Sequence, residues 1–111
     1  MQLLRRLPYV LGYGAGPRLM SALRKRWVIL RHPQADIRFG RGVYLGPGFS
    51  LHIPGRGTFI AGDNSEFRRG FRAEVEGDGR IEFGADCHCT YYVLMQCSTT
   101  ITVGDRCQFG Q

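Results

Sequence analysis

The chain has 111 residues, a formal net charge of +6, and 22% charged and 43% hydrophobic residues. This length allows one domain at most, and the sequence has no run of apolar residues long enough to predict a membrane-spanning helix. Sixteen glycines and five prolines favour many tight turns over long helices.

The positive charge is concentrated near the N-terminus. Residues 1–35 contain seven Lys and Arg and no Asp or Glu, whereas the rest of the chain contains eight basic and nine acidic residues. The positive electrostatic potential of this segment favours an anionic surface as partner. No nucleic-acid recognition motif accompanies the basic residues, so a nucleic acid is not predicted as a partner.

Residues 1–12 and 17–31 are predicted to form two short helices. In the second, Pro17 suits the first turn of a helix, and apolar side chains recur at helical spacing opposite basic ones. The apolar residues are Leu19, Met20, Leu23, Trp27 and Leu30. Two interpretations of this face stay open and can coexist. It covers the open end of the repeat region that follows, or residues 1–31 lie on an anionic membrane surface. Residues 1–35 are therefore assigned as a basic helical cap or membrane-contact segment.

From Asp36 onwards, short predicted strands alternate with glycines. A phrase of a large apolar residue, any residue, an apolar or small residue and Gly occurs four times, as Ile37-Arg38-Phe39-Gly40, Phe59-Ile60-Ala61-Gly62, Ile81-Glu82-Phe83-Gly84 and Ile101-Thr102-Val103-Gly104. Its glycines are 22, 22 and 20 residues apart (62−40, 84−62, 104−84). This spacing is typical of a stacked-coil solenoid. Residues 36–111 are predicted to form about three coils that are open at the C-terminal end.

Within each coil, apolar residues recur at six-residue steps, which predicts a triangular coil with three faces. The predicted inward residues are Phe39, Leu45, Leu51, Ala61, Phe67, Ala73, Phe83, Cys89, Met95, Val103 and Phe109. Each coil is longer than three six-residue steps, and the extra residues are predicted to form loops at residues 54–57, 76–79 and 98–100. The acidic residues Glu74, Glu76 and Asp78 are interpreted as solvated loop charges.

The cysteines and histidines do not predict a metal site. Strand alternation places His88 on the opposite side from Cys87 and Cys89, and the three histidines occupy different coil positions. All four cysteines, which include Cys97 and Cys107, are predicted to be free thiols that fill a narrow core. His88 as a catalytic base is not favoured, because no partner that would orient it is visible.

The repeat resembles the hexapeptide-repeat family, whose motif is an aliphatic residue, a small residue, two variable residues, a small residue and one more. The matching stretches are Leu45-Gly46-Pro47-Gly48-Phe49-Ser50 and Val103-Gly104-Asp105-Arg106-Cys107-Gln108. The resemblance covers about two thirds of the chain. It implies an all-β fold, a left-handed parallel β-helix, which is an exception to the usual right-handed crossover. It also implies a homotrimer.

The most similar branch is that of the sugar and polysaccharide O-acyltransferases, including the maltose and galactoside acetyltransferases. The resemblance implies transfer of an acyl group, expected to be acetyl, from acyl-CoA to a sugar or surface-polysaccharide hydroxyl. Acetyl-CoA or another acyl-CoA is then a co-substrate, and no cofactor is predicted to be bound. The branch uses a His as general base. That His is expected beyond Gln111, so no catalytic residue is assigned and the 111-residue chain alone is predicted to be inactive.

Acceptor-site residues are expected on the coil before the Ile101 phrase. Thr90 and Ser98 match positions where the branch carries polar acceptor residues, and Tyr92 and Gln96 are added because aromatic faces and amides suit sugars. The alternative function is a non-catalytic trimerisation or scaffold module, associated with a membrane through residues 1–31. The predicted location is cytoplasmic, either free or peripheral on the inner face of the membrane.

Overall fold

A computed structural model describes the backbone of residues 15–110 and the side chains from Arg18 to Gly110. The helix predicted over residues 1–12 lies outside this range. The described chain begins with helix α1 (Ala15–Arg31), followed by eleven short strands. The strands are β1 (Asp36–Phe39), β2 (Tyr44–Leu45), β3 (Ser50–His52), β4 (Thr58–Ala61), β5 (Glu66–Phe67), β6 (Arg72–Val75), β7 (Arg80–Phe83), β8 (His88–Cys89), β9 (Leu94–Cys97), β10 (Thr100–Val103) and β11 (Gln108–Phe109).

The strands form three parallel sheets, which are the three faces of a solenoid. Sheet A has the order β1-β4-β7-β10, sheet B has β2-β5-β8-β11, and sheet C has β3-β6-β9. The register aligns Phe39 with Ala61 and Ala61 with Phe83, so the repeated phrases stack on one another. The chain is therefore a parallel β-helix of about three turns, as the sequence predicts. Its left-handed winding and its assembly as a homotrimer stay predictions.

The inward residues form one continuous core. Eight of the eleven predicted inward residues are buried, and Phe39, Met95 and Phe109 are half-buried against them. Phenylalanines fill the centre of the stack. The ring centroids of Phe67 and Phe71 lie 4.7 Å apart, and those of Phe67 and Phe83 lie 5.1 Å apart. Edge-to-face pairs of this kind contribute about 0.5–1.5 kcal/mol beyond the burial of their surface.

The glycine of the repeated phrase is required where one coil lies against the next. A Cβ added at Gly62 would stand 2.5 Å from the carbonyl carbon of Gly84. At Gly84 the space is taken by the next coil in the same way. The Asp105 carboxylate accepts a hydrogen bond from the backbone N–H of Ala85 at 2.8 Å and occupies the space beside Gly84. A Cβ added at Gly104 would have no atom of the described residues within 4 Å. The phrase therefore keeps glycine where the following coil leaves no room for a side chain.

The predicted loops lie between strands, with one difference at the third. Residues 54–57 and 76–79 are outside the strands. Thr100, however, is the first residue of β10, where it pairs with Arg80. The third loop is shorter because the last coil has two residues fewer, and the parallel ladder extends to the same register as in the coils before it.

Helix α1 covers the free edge of β2. The Ser21 hydroxyl accepts a hydrogen bond from the backbone N–H of Leu45 at 2.8 Å, and the Arg24 guanidinium donates to the carbonyl of Leu45 at 2.9 Å. Val28 is buried on the same side of the helix. Gln34 donates to the carbonyl of Ile53 at 2.8 Å, just beyond the end of β3. These bonds satisfy groups that an edge strand otherwise leaves unpaired.

Helix α1 contacts the solenoid edge through Ser21 and Arg24, so the assignment of its apolar face to this contact is wrong. Whether residues 1–35 serve as a cap or as a membrane-contact segment stays a prediction. Leu19, Leu23, Trp27 and Leu30 are 61%, 51%, 62% and 74% exposed, and Met20 is exposed as well. The reason is chemical, because a strand edge presents N–H and C=O groups that a hydroxyl and a guanidinium can bind and a leucine cannot. The apolar face of α1 consequently points away from the solenoid.

Candidate functional site

Polar side chains stand in register on the outer face of sheet C. Strand alternation buries Ala73 and Val75 and turns Glu74 outwards. Glu74 pairs in register with His52 on one side and with Gln96 on the other. The Gln96 amide donates a hydrogen bond to the Glu74 carboxylate at 3.0 Å. The stacking of coils thus joins residues that are 22 positions apart in the sequence.

A cavity of about 220 Å³ opens where β6 and β9 end. It is lined by Glu74, Glu76, Gln96, Cys97 and Ser98. Carboxylates accept hydrogen bonds from hydroxyls, an amide both donates and accepts, and a serine hydroxyl does the same. The lining therefore offers several directional contacts to a ligand that is rich in hydroxyl groups.

The structure brings two of the four predicted acceptor residues together. Gln96 and Ser98 both line the cavity on sheet C. Thr90 lies at the end of β8, where its hydroxyl donates to the carbonyl of Phe109 at 3.0 Å. Tyr92 lies at the corner between β8 and β9, and neither it nor Thr90 is part of the cavity lining. Whether any of the four binds a substrate stays a prediction.

Two carboxylates of the cavity were missed by the sequence interpretation. Glu74 is not a loop residue, because it is the third residue of β6 and is half-buried. Glu76 follows that strand directly and lines the same cavity. The period-two alternation of Arg72, Ala73, Glu74 and Val75 is the signal that predicts an outward-facing strand position for Glu74.

Tyr92 has a backbone conformation that is unfavourable for an aromatic residue. It occupies the coil position that Gly48 and Gly70 hold in the preceding coils, and all three have a positive φ, of 55°, 79° and 77° respectively. A non-glycine residue in such a conformation costs on the order of 1–3 kcal/mol, and such strain is enriched at functional sites. The Tyr92 side chain lies over Gly70 and is 71% exposed. Its ring is therefore presented to solvent at a cost in backbone strain.

His88 has an orienting partner that the sequence interpretation did not find. It faces outwards from sheet B, and its register partner in β5 is Glu66. The Nδ1 atom of His88 lies 3.2 Å from the Glu66 carboxylate, and the Nε atom of Arg68 lies 3.5 Å from the same oxygen. A carboxylate beside Nδ1 holds the ring in one orientation and leaves Nε2 outside this contact. The signal for this pair was the 22-residue spacing of positions 66 and 88.

The cysteines are core residues, as predicted. Cys87, Cys89 and Cys97 are buried free thiols, and Cys107 is half-buried and aligned with Cys87 in the adjacent coil. Burial, and secondly the nearby Cys87, raise the pKa of Cys89 to about 12. Cys89 is thus protonated at neutral pH and is a poor nucleophile. Among the described residues, no three His, Cys, Asp or Glu side chains form a group that could hold a metal ion.

In the comparisons with known proteins, no family model, curated protein or solved structure matches this chain. The resemblance to hexapeptide-repeat acyltransferases therefore rests on the repeated phrases of the sequence. The site described above is interpreted from its own chemistry.

Proposed function

We propose that this chain contributes the acceptor-binding coils of an O-acyltransferase that acts on a sugar or surface-polysaccharide hydroxyl. The observation that carries this proposal is the polar cavity on sheet C. It contains Ser98, a position where the resemblance places the acceptor, and Gln96, a candidate because amides suit sugars, together with the carboxylates of Glu74 and Glu76. Acyl-CoA is the proposed co-substrate, and a homotrimer is the proposed assembly.

The cavity chemistry suits a sugar. The Glu74 carboxylate already accepts a hydrogen bond from Gln96, and it retains lone pairs for ligand hydroxyls. The second amide hydrogen and the carbonyl of Gln96 supply one donor and one acceptor to the same ligand. Bidentate contacts of this kind fix the orientation of a sugar ring and select among its hydroxyls.

In the proposed reaction the acceptor hydroxyl attacks the thioester carbon of acyl-CoA. An ester forms, the carbon–sulfur bond breaks, and a general base takes the proton of the hydroxyl while the coenzyme A thiol leaves. The described residues of the cavity bind and orient the acceptor in this scheme. The Glu66–His88 pair lies on another sheet and has no role in it.

Saturation-transfer NMR with a panel of methyl glycosides tests the acceptor site. We expect at least one glycoside to bind. Glu74→Gln and Gln96→Ala should each raise the Kd of that glycoside about tenfold, because the loss of a hydrogen bond to a charged group costs about 1.5 kcal/mol. Glu82→Gln is the matched control, because Glu82 pairs with Arg80 on the outer face of sheet A, away from the cavity.

The same titration distinguishes the alternative function. If no glycoside binds and sedimentation shows a stable trimer, the non-catalytic scaffold replaces the acyltransferase proposal. Binding that Glu82→Gln weakens as much as Glu74→Gln does would place the acceptor elsewhere and overturn the assignment of this cavity.

A further inference from the structure

Helix α1 has two faces, of which one contacts the solenoid and the other is exposed. Ser21, Arg24 and Val28 contact the solenoid. The opposite face carries an apolar stripe of five residues, each between 48% and 74% exposed. These residues, named here the outer apolar stripe, are Leu19, Met20, Leu23, Trp27 and Leu30. Their spacing places them on one side of the helix. The stripe is therefore available for contact while the helix stays bound to β2.

Basic side chains accompany the stripe. Arg18, Arg26 and Arg31 are exposed on α1, and the guanidinium carbon of Arg31 lies 5.7 Å from the centre of the Trp27 ring. No acidic residue occurs in α1 or anywhere in residues 1–35. A partner for this face must therefore bind apolar side chains in the middle of the contact and positively charged side chains around them.

Charge decides among the possible occupants. The preceding residues 1–14 of the same chain carry Arg5 and Arg6 and no acid, so packing them on α1 brings like charges together. A second copy of α1 has the same disadvantage. An anionic lipid surface is complementary in both respects, because it attracts basic side chains, by about 1 kcal/mol each in peripheral proteins, and accepts apolar ones below its headgroups.

We propose that the outer apolar stripe of α1 docks the protein on an anionic membrane surface. Within the described residues, no helix is long and apolar enough to cross a membrane, so α1 lies in the plane of the interface. Trp27 is placed at headgroup depth, where tryptophan is enriched in membrane proteins. The bonds of Ser21 and Arg24 to Leu45 remain intact, and the solenoid is held beside the lipid.

Vesicle sedimentation of the full chain tests this proposal. We expect binding to phosphatidylcholine vesicles that contain phosphatidylglycerol and much weaker binding to phosphatidylcholine alone. Bound protein should decrease when salt is raised from about 0.1 M to about 1 M, which shortens the Debye length from about 10 Å to about 3 Å. The emission of Trp27, the single tryptophan of the chain, should shift to shorter wavelength on binding.

Matched variants assign the effect to the stripe. Leu23→Ser with Leu30→Ser should lower the vesicle partition coefficient more than tenfold, because apolar burial supplies much of the binding. Leu94→Ser is the control, since Leu94 is 57% exposed on the solenoid, in β9. Far-UV circular dichroism and thermal unfolding of each variant show whether it is folded.

Three results would overturn the proposal. Equal binding to vesicles with and without phosphatidylglycerol excludes an anionic surface as the occupant. Absence of binding, together with a Trp27 that is protected from a soluble quencher, assigns the stripe to the chain's own residues 1–14. Self-association without lipid that is lost in the double leucine variant assigns it to a second copy. Glycoside binding is independent of all three, so this proposal and the proposed function can fail separately.

Discussion

The solenoid and helix α1 use apolar residues in opposite ways. Phe67, in the middle of the solenoid, is fully buried, whereas Trp27 of α1 is 62% exposed. In the solenoid, an inward side chain meets equivalent side chains in the coils above and below it, so apolar residues are favoured. At β2 the neighbour is a strand edge, and the contact is made by Ser21 and Arg24. Burial is thus determined by what the neighbouring element presents, and hydrophobic periodicity alone does not determine it.

The largest expected difference between the two regions is in their contribution to stability. Phe67→Ala should lower the free energy of unfolding by about 3–5 kcal/mol, because it leaves a cavity in the phenylalanine stack. Leu30→Ala should change it by less than about 0.5 kcal/mol, because Leu30 is exposed. Urea denaturation measures both values. A loss of several kcal/mol in Leu30→Ala would mean that the stripe is part of the core.

A smaller loss of stability than that of Phe67→Ala is expected from a substitution in the repeated phrase. Gly62→Ala should cost about 1–3 kcal/mol, because the new Cβ meets the backbone of Gly84, which cannot move without shifting the coil. Gly104→Ala is the matched control, because no atom in the described part of the chain lies within 4 Å of the added methyl group. Equal unfolding midpoints for the two variants would contradict the close stacking of the phrase.

The hydrogen bonds between α1 and β2 should contribute less to the free energy of unfolding. Ser21→Ala removes the acceptor for the buried N–H of Leu45, which should cost about 1–2 kcal/mol. Ser50→Ala, at an exposed position of β3, should stay within about 0.5 kcal/mol of the unmodified chain. Thermal unfolding monitored by circular dichroism compares the two. If they are equally stable, Ser21 does not bind the edge of β2.

The smallest effect under ordinary conditions concerns the thiols. Because burial raises the pKa of Cys89 from 9.0 to about 12, its protonated form stabilises the fold fully below about pH 9, and that contribution is lost as the pH rises towards 12. At mildly alkaline pH, iodoacetamide should modify the half-buried Cys107 before Cys89. Peptide mass spectrometry gives the order. Modification of Cys89 as fast as Cys107 would contradict its burial.

The sequence predicted the solenoid well and its surfaces poorly. The spacing of Gly40, Gly62 and Gly84 predicts the number of coils, because each inward position repeats along the chain. Outer positions are different, because contacts such as Gln96 with Glu74 and His88 with Glu66 depend on register between coils. The face of α1 that binds the solenoid could not be predicted from its periodicity, since the apolar face and the contacting face are opposite.

Collisional quenching of Trp27 by acrylamide in lipid-free buffer tests the central claim most directly. That claim is that α1 binds the solenoid with its polar face and leaves its apolar face free. Since the chain has one tryptophan, the signal reports this face alone. We predict a quenching constant close to that of a free tryptophan analogue and emission at correspondingly long wavelength. A strongly protected, blue-shifted Trp27 in the monodisperse protein would contradict the account.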